Sequence, residues 1–325
     1  MTAQPTLRER LAKVPTPMGG LALGIASLGW AWENLMPAHG LFQLAGAGVA
    51  AILLLLLLAK FMHHPRLLWV DLQNPVAGSV MPTMAMALMV IAKAVSLFSL
   101  PVAEAVWLFA IALHLVFLAI FSYHRFRAFR LHHMVPSWFV PPVGIIVAAV
   151  TFPGGPWLWL AQLICWFGII CYLVMLPVML YRLVFSAEVP DAAKPTIAIL
   201  AAPASLSLAG YLTVFATPSP LMVGLLAGIA VLMTAIIYLF FLRLLRLPFS
   251  PGYSAFTFPM VIGATALYKL SVLIGNWGFA ARYAEQVHAL ATFELIVAAL
   301  VIAYVSLHYL YNYLVRVRQA DATPA

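Results

Sequence analysis

Charge is scarce in this sequence. Charged residues make up 8% of it, where an ordinary soluble domain carries roughly 25%. Too few are present to solvate the surface of a water-soluble globule. Cysteine is nearly missing as well. Cys165 and Cys171 fall six residues apart in one apolar run, on different faces of a helix. That spacing excludes a disulfide framework and offers no metal site. Carboxylates number nine, and within the Pro/Gly-rich helices described below the one acid is Glu33. A membrane hydrolase needs a nucleophile and a general base in reach of each other, and no such constellation exists. No enzyme activity, cofactor or metal is expected.

Apolar residues fill the space. They account for 65% of the chain, with a mean hydropathy of +1.04, against roughly 45–50% in soluble domains. Ten apolar stretches, at 16–36, 41–62, 76–98, 102–124, 137–152, 157–185, 195–216, 220–242, 252–275 and 285–315, approach or exceed the ~20 residues that cross a bilayer. The fifth, broken by Pro141 and Pro142, is the weakest. The expected fold is all-α and integral to the membrane, with a ten-helix pore domain at 15–316, a polar N-terminal segment at 1–14 and a tail at 317–325. Residues 1–14 are polar and the first apolar run is long enough to span, so no cleavable signal peptide is expected.

The net charge of +8 belongs to short loops between spans, so it signals membrane orientation rather than nucleic acid. Fourteen of the 17 Lys and Arg residues fall on the side that holds the N-terminus; Lys93, Lys269 and Arg282 fall on the other. The positive-inside rule then places both termini in the cytoplasm.

Prolines reveal an internal repeat. Pro251 opens the ninth span at the first turn of a helix, where its missing N–H costs nothing. Pro259 lies inside the same span, where it removes a backbone bond and kinks the helix. The pairing recurs as Pro195 with Pro203, Pro136 with Pro142 and Pro75 with Pro82, while Pro15 opens a copy whose kink position is Ala22. Successive opening prolines are 60, 61, 59 and 56 residues apart. This is a fivefold repeat of helical hairpins, each with a Pro/Gly-rich helix followed by a plain one. All five Pro/Gly-rich helices start at the cytoplasmic side, so their positive N-terminal ends face it together. Packed around one axis, they form a pseudo-fivefold arrangement with a central pore whose inner mouth attracts anions. Gly20, Gly24, Pro82, Thr83, Pro142, Pro203, Ser207, Thr257 and Pro259 are the candidates to line it. Phe258 stands immediately before a kink, where a side chain is turned inward.

Several stretches carry a family resemblance: Pro15-Thr-Pro-Met-Gly-Gly-Leu-Ala-Leu-Gly-Ile25, Trp32-Glu-Asn-Leu-Met-Pro37, Pro136-Ser-Trp-Phe-Val-Pro-Pro-Val-Gly144 and Phe256-Thr-Phe-Pro-Met260. From about 15 to 315 the chain resembles the tellurite-resistance/C4-dicarboxylate transporter family, which includes the plant slow anion channels. The resemblance implies a bacterial inner-membrane protein of ten helices, assembled as a homotrimer with one pore per protomer. It also implies that Phe258 plugs that pore as a gate, with Gly20 near it. Ala22 departs from the family, whose members carry a kinking proline there.

Two readings follow. One is a channel that passes small inorganic anions through an uncharged tube in the lipid bilayer. The alternative is a secondary transporter or exporter of C4-dicarboxylate, tellurite or sulfite-like anions. Coupled transporters hold ionisable groups near the midplane, and the Pro/Gly-rich helices have no carboxylate there, which favours the channel. Lys93 and Lys269 each follow their opening proline by 18 residues. They form an outer anion-attracting pair, unless they snorkel to the interface or Lys269 pairs with Glu294.

Overall fold

The computed structural model describes residues 6–316, with side chains to 313; the tail at 317–325 and Arg318 lie outside them. The described residues are helical throughout, with no strand. Ten helices organise the chain: α1 (Met18–Leu35), α2 (Leu41–His63), α3 (Ala77–Val95), α4 (Leu100–Arg127), α5 (Pro136–Val150), α6 (Leu158–Phe185), α7 (Asp191–Val214), α8 (Pro220–Leu245), α9 (Pro251–Gly275) and α10 (Ala281–Tyr313). Among the described residues, eight are long and apolar enough to cross a membrane. The other two are α1, which has 18 residues and ends in the polar pair Glu33-Asn34, and α5, which is short.

Backbone chemistry explains the uneven helices. In α5 the chain alternates between tight 3-10 turns (Pro136–Phe139, Gly144–Ile146) and single α-helical turns (Val140–Val143, Val147–Val150). Pro136, Pro141 and Pro142 supply no N–H, so a continuous α ladder is not available. The same cause shapes α7 and α9, which open as 3-10 helix over Asp191–Ala201 and Pro251–Phe256 before becoming α-helical. In α3 the break falls at Met81 and Pro82. Outer helices repair the damage. His114 Nε2 on α4 donates to Pro141 O at 2.8 Å, and Trp107 Nε1 to Ala148 O at 3.0 Å. At membrane depth an orphaned carbonyl costs several kcal/mol, so these buried polar side chains hold α5 together.

Burial separates two shells. The most apolar window of α3, α7 and α9 is 67–83% buried within the protein, against 28–39% for α2, α4, α6, α8 and α10. In α5 every residue but Pro142 is buried. The even helices therefore present their greasy faces outward, as Ile52, Leu55, Leu56 and Leu58 of α2 do. Inner contacts run from α1 to α3, α3 to α5, α5 to α7, α7 to α9 and α9 back to α1. Side chains tie these neighbours. Ser79 and Ser137 share a hydrogen bond of 2.6 Å, Trp138 Nε1 donates to Pro75 O at 3.0 Å, and Thr257 Oγ1 donates to Gly20 O at 3.1 Å. The turn from α1 to α2 is built by Glu33, whose carboxylate accepts the N–H groups of Ala38, Gly40 and Phe42. Gly40 takes φ 86° there, a conformation glycine adopts without strain.

Candidate functional site

A cavity of about 360 Å³ lies where α1, α3, α5, α7 and α9 converge, and each of the five contributes to its wall. Each helix contributes residues at or just before its N-terminal end, such as Pro17, Val76, Phe139, Ala192 and Gly252. The five N-termini therefore gather at one end of the cavity, with their positive dipole ends beside it. Its wall is apolar, with Thr83, Thr196, Ser250, Ser254 and Asn74 as the polar exceptions, and none of the described residues that line it is charged.

The repeat fixes which residues face inward. Eight residues past the five opening prolines stand Leu23, Thr83, Gly144, Pro203 and Pro259, and all five border the cavity. Among the residues named from sequence, Gly20, Thr83, Pro203, Phe258 and Pro259 border it. Pro82 and Pro142 do not, because they come one and two residues early; each residue turns a helix by about 100°. Thr257 faces α1 instead, and a methyl on Gly24 would collide with it. Ser207 lies beyond the cavity, fully buried with its hydroxyl unpartnered. Leu23, Val80, Met86, Ile199 and Leu206 also line the wall, though they are neither small nor kinking. Counting from each opening proline was the signal that finds the first of these.

Phe258 sits at the inner end. Farther along α1, α3, α5 and α9 a second, much smaller void of about 10 Å³ is lined by Ser27, Trp30, Val90, Thr151 and Ile262 among others. Phe258 is the one side chain common to both voids. Its ring, 8% exposed, separates them. The 3-10 stretch Pro251–Phe256 rises about 2.0 Å per residue, which sets this ring roughly 13 Å from the start of α9. Phe256, two residues earlier, points the other way and packs on Phe241 and Tyr253 at 5.5 and 5.0 Å between ring centroids.

Among the described residues the outer lysines do not pair with acids. Lys93 Nζ donates to Phe152 O at 3.1 Å, and Lys269 Nζ lies 5.8 Å from the Trp30 ring centroid. The Lys269–Glu294 pair suggested by spacing does not form among the described residues; Glu294 turns toward Gly263 instead. At the opposite end, sequence reading overlooked a cluster carried by the short helix Pro65–Gln73. Asp71 accepts from Thr16 Oγ1, which in turn accepts from Lys60 Nζ at 2.9 Å, and Lys60 stands 3.5 Å from Asp71. This cluster pins the residues leading into α1 beside the cavity mouth.

Residues 15–310 match the family model described as voltage-dependent anion channel. The chain belongs to that family. This is the group to which its proline and phenylalanine motifs bore a resemblance. It is also similar to two uncharacterised transporters of Methanocaldococcus jannaschii. One is 26% identical over 69% of this chain and 73% of its own length, the other 27% identical over 62% and 66%. An anion channel or transporter embedded in the membrane is thus the function class, and nothing in the comparisons points to an enzyme.

Proposed function

We propose that the protein is a channel for small inorganic anions whose pathway runs through the inner cavity and is closed by Phe258. The observation that carries this reading is the position of that ring as the sole side chain bordering both voids. In this reading all ten helices cross the bilayer, and α1, α3, α5, α7 and α9 form a fivefold ring around the pore. The cyclic contacts of the inner helices support the ring. The apolar wall conducts by offering a dehydrated passage with a diffuse positive field from five helix ends, and the ring shuts it sterically and by excluding water. Lys93 and Lys269 add positive charge at the outer end. The Lys and Arg distribution supports cytoplasmic termini, and the family resemblance supports a bacterial inner membrane and a homotrimer with one pore per protomer.

A second reading is a transporter or exporter of C4-dicarboxylate, tellurite or sulfite-like anions, favoured by the description of both archaeal relatives as transporters. Reversal potentials of purified protein in asymmetric chloride separate the two. The expected reversal lies near the chloride equilibrium potential. A shift to the cation equilibrium potential contradicts an anion pathway; flux that stops without a proton gradient, with no current in its absence, selects the transporter.

A further inference from the structure

The tenth helix carries a carboxyl group that the pathway does not use. Glu294, 5% exposed, points from α10 at α9, where Gly263 makes room for it. A methyl on that glycine would come 2.6 Å from Glu294 Oε2 and 3.9 Å from Thr234 Oγ1. Oε2 has no hydrogen-bond partner among the described residues. A void of about 10 Å³ adjoins it, bordered by Ser205 of α7, Thr234 of α8 and Gly263 of α9. Tyr238, one turn beyond Thr234, has a buried hydroxyl with no hydrogen-bond partner among the described residues and within electrostatic reach of the carboxyl.

Tyr238 apart, the lysine, arginine and histidine side chains of α8, α9 and α10 have contacts of their own elsewhere. Lys269 of α9 lies over Trp30, Arg243 of α8 over Phe240, and Arg282 of α10 over Tyr283. Glu33 of α1 binds backbone N–H groups. His288 packs on Tyr268 and His308 on Phe249. An ionised carboxylate without a partner at membrane depth is costly, and such groups are commonly functional. Gly263 comes five residues after Phe258, about 7 Å along the helix. A shift of α9 at Gly263 therefore carries the ring with it.

We propose that Glu294 is a proton-binding site whose occupancy sets the contact between α9 and α10 and, through α9, the seating of Phe258. The inference rests on reading Phe258 as the gate. With its proton, the carboxyl packs against Gly263 and the ring stays seated. Loss of the proton to water leaves a carboxylate that draws water into the adjoining void, parts α9 from α10 and unseats the ring. One proton linked to the gate changes the open-to-closed ratio by up to about tenfold per pH unit.

The test compares wild type, Glu294→Gln and Glu294→Asp by two readouts: anion current in bilayers across pH, and the infrared carbonyl band of protonated carboxylic acid in the purified protein. Wild-type current should rise with pH, and its acid band should fade in step. Glu294→Gln should stay at the low current at every pH and lack that band, while Glu294→Asp should keep a pH response with a displaced midpoint. Equal pH dependence in Glu294→Gln and wild type, or an acid band that survives the substitution, overturns the proposal. The infrared band needs no current. A protein whose band titrates and vanishes in Glu294→Gln, but which passes no anions at any pH, would contradict the channel reading and leave the proton site standing.

Discussion

Phe258→Ala should raise basal anion conductance by on the order of 10- to 100-fold. Burying an aromatic ring contributes about 1.5–3 kcal/mol, and in this protein that contribution belongs to the closed arrangement. Each ~1.4 kcal/mol is a factor of about ten in the open-to-closed ratio, and removing the ring also clears the space between the two voids. Phe256→Leu is the matched control, because that ring packs outward on Phe241 and Tyr253 and touches neither void. It should leave basal conductance low. Bilayer recordings of the three proteins decide the matter. Equal activation by both substitutions would mean that α9 has merely loosened, and a Phe258→Ala protein that folds yet conducts like wild type would place the gate elsewhere.

Gly46→Leu should abolish recovery of folded protein, whereas Gly48→Leu should be tolerated. The two glycines are two residues apart on α2. A single methyl on Gly46 would come 2.8 Å from Ile25 O and 3.2 Å from the Gly29 Cα. Both are backbone atoms of α1, which cannot rotate away. Small residues permit such close crossings in membranes, and an overpacked core costs typically 1–3 kcal/mol, more where nothing yields. Nothing stands within 4 Å of the Gly48 position, so leucine there meets only the outer surface. Size-exclusion profiles and thermal unfolding of detergent-solubilised protein measure the difference. Equal losses for both substitutions would show that the close α1–α2 crossing is not the cause, since leucine favours a helix over glycine at either position.

Much of this architecture was legible because membrane prolines have few uses. Each opening proline falls within four residues of the start of an inner helix, and their spacing alone reveals the repeat. The inward register was legible too, but only by counting eight residues past each opening proline; following the prolines themselves misplaced Pro82 and Pro142. Thr257 was out of reach for another reason. Its hydroxyl serves the α1–α9 contact through Gly20 O, and a pairing between residues 237 apart leaves no local trace. The Asp71 cluster was hidden because the short helix that carries it is too brief and polar to stand out from a loop. Glu294 is visible in the sequence as a membrane carboxylate, but of the alternatives its spacing offers, the pairing with Lys269 does not form among the described residues, because the fold turns the acid toward Gly263.

The central claim is that anions pass through the cavity enclosed by the five inner helices. Thiol block in an open background tests it most directly. The native Cys165 and Cys171 lie on α6, outside both voids, so replacing them with alanine gives a cysteine-free Phe258→Ala channel. Val80, partly exposed and on the cavity wall, then takes a single cysteine as Val80→Cys. A negatively charged, membrane-impermeant thiol reagent applied from the side of the inner helices' N-termini should abolish the anion current, and reduction should restore it. Complete labelling of Val80→Cys, confirmed by mass, with the current unchanged would show that the ions travel by another route.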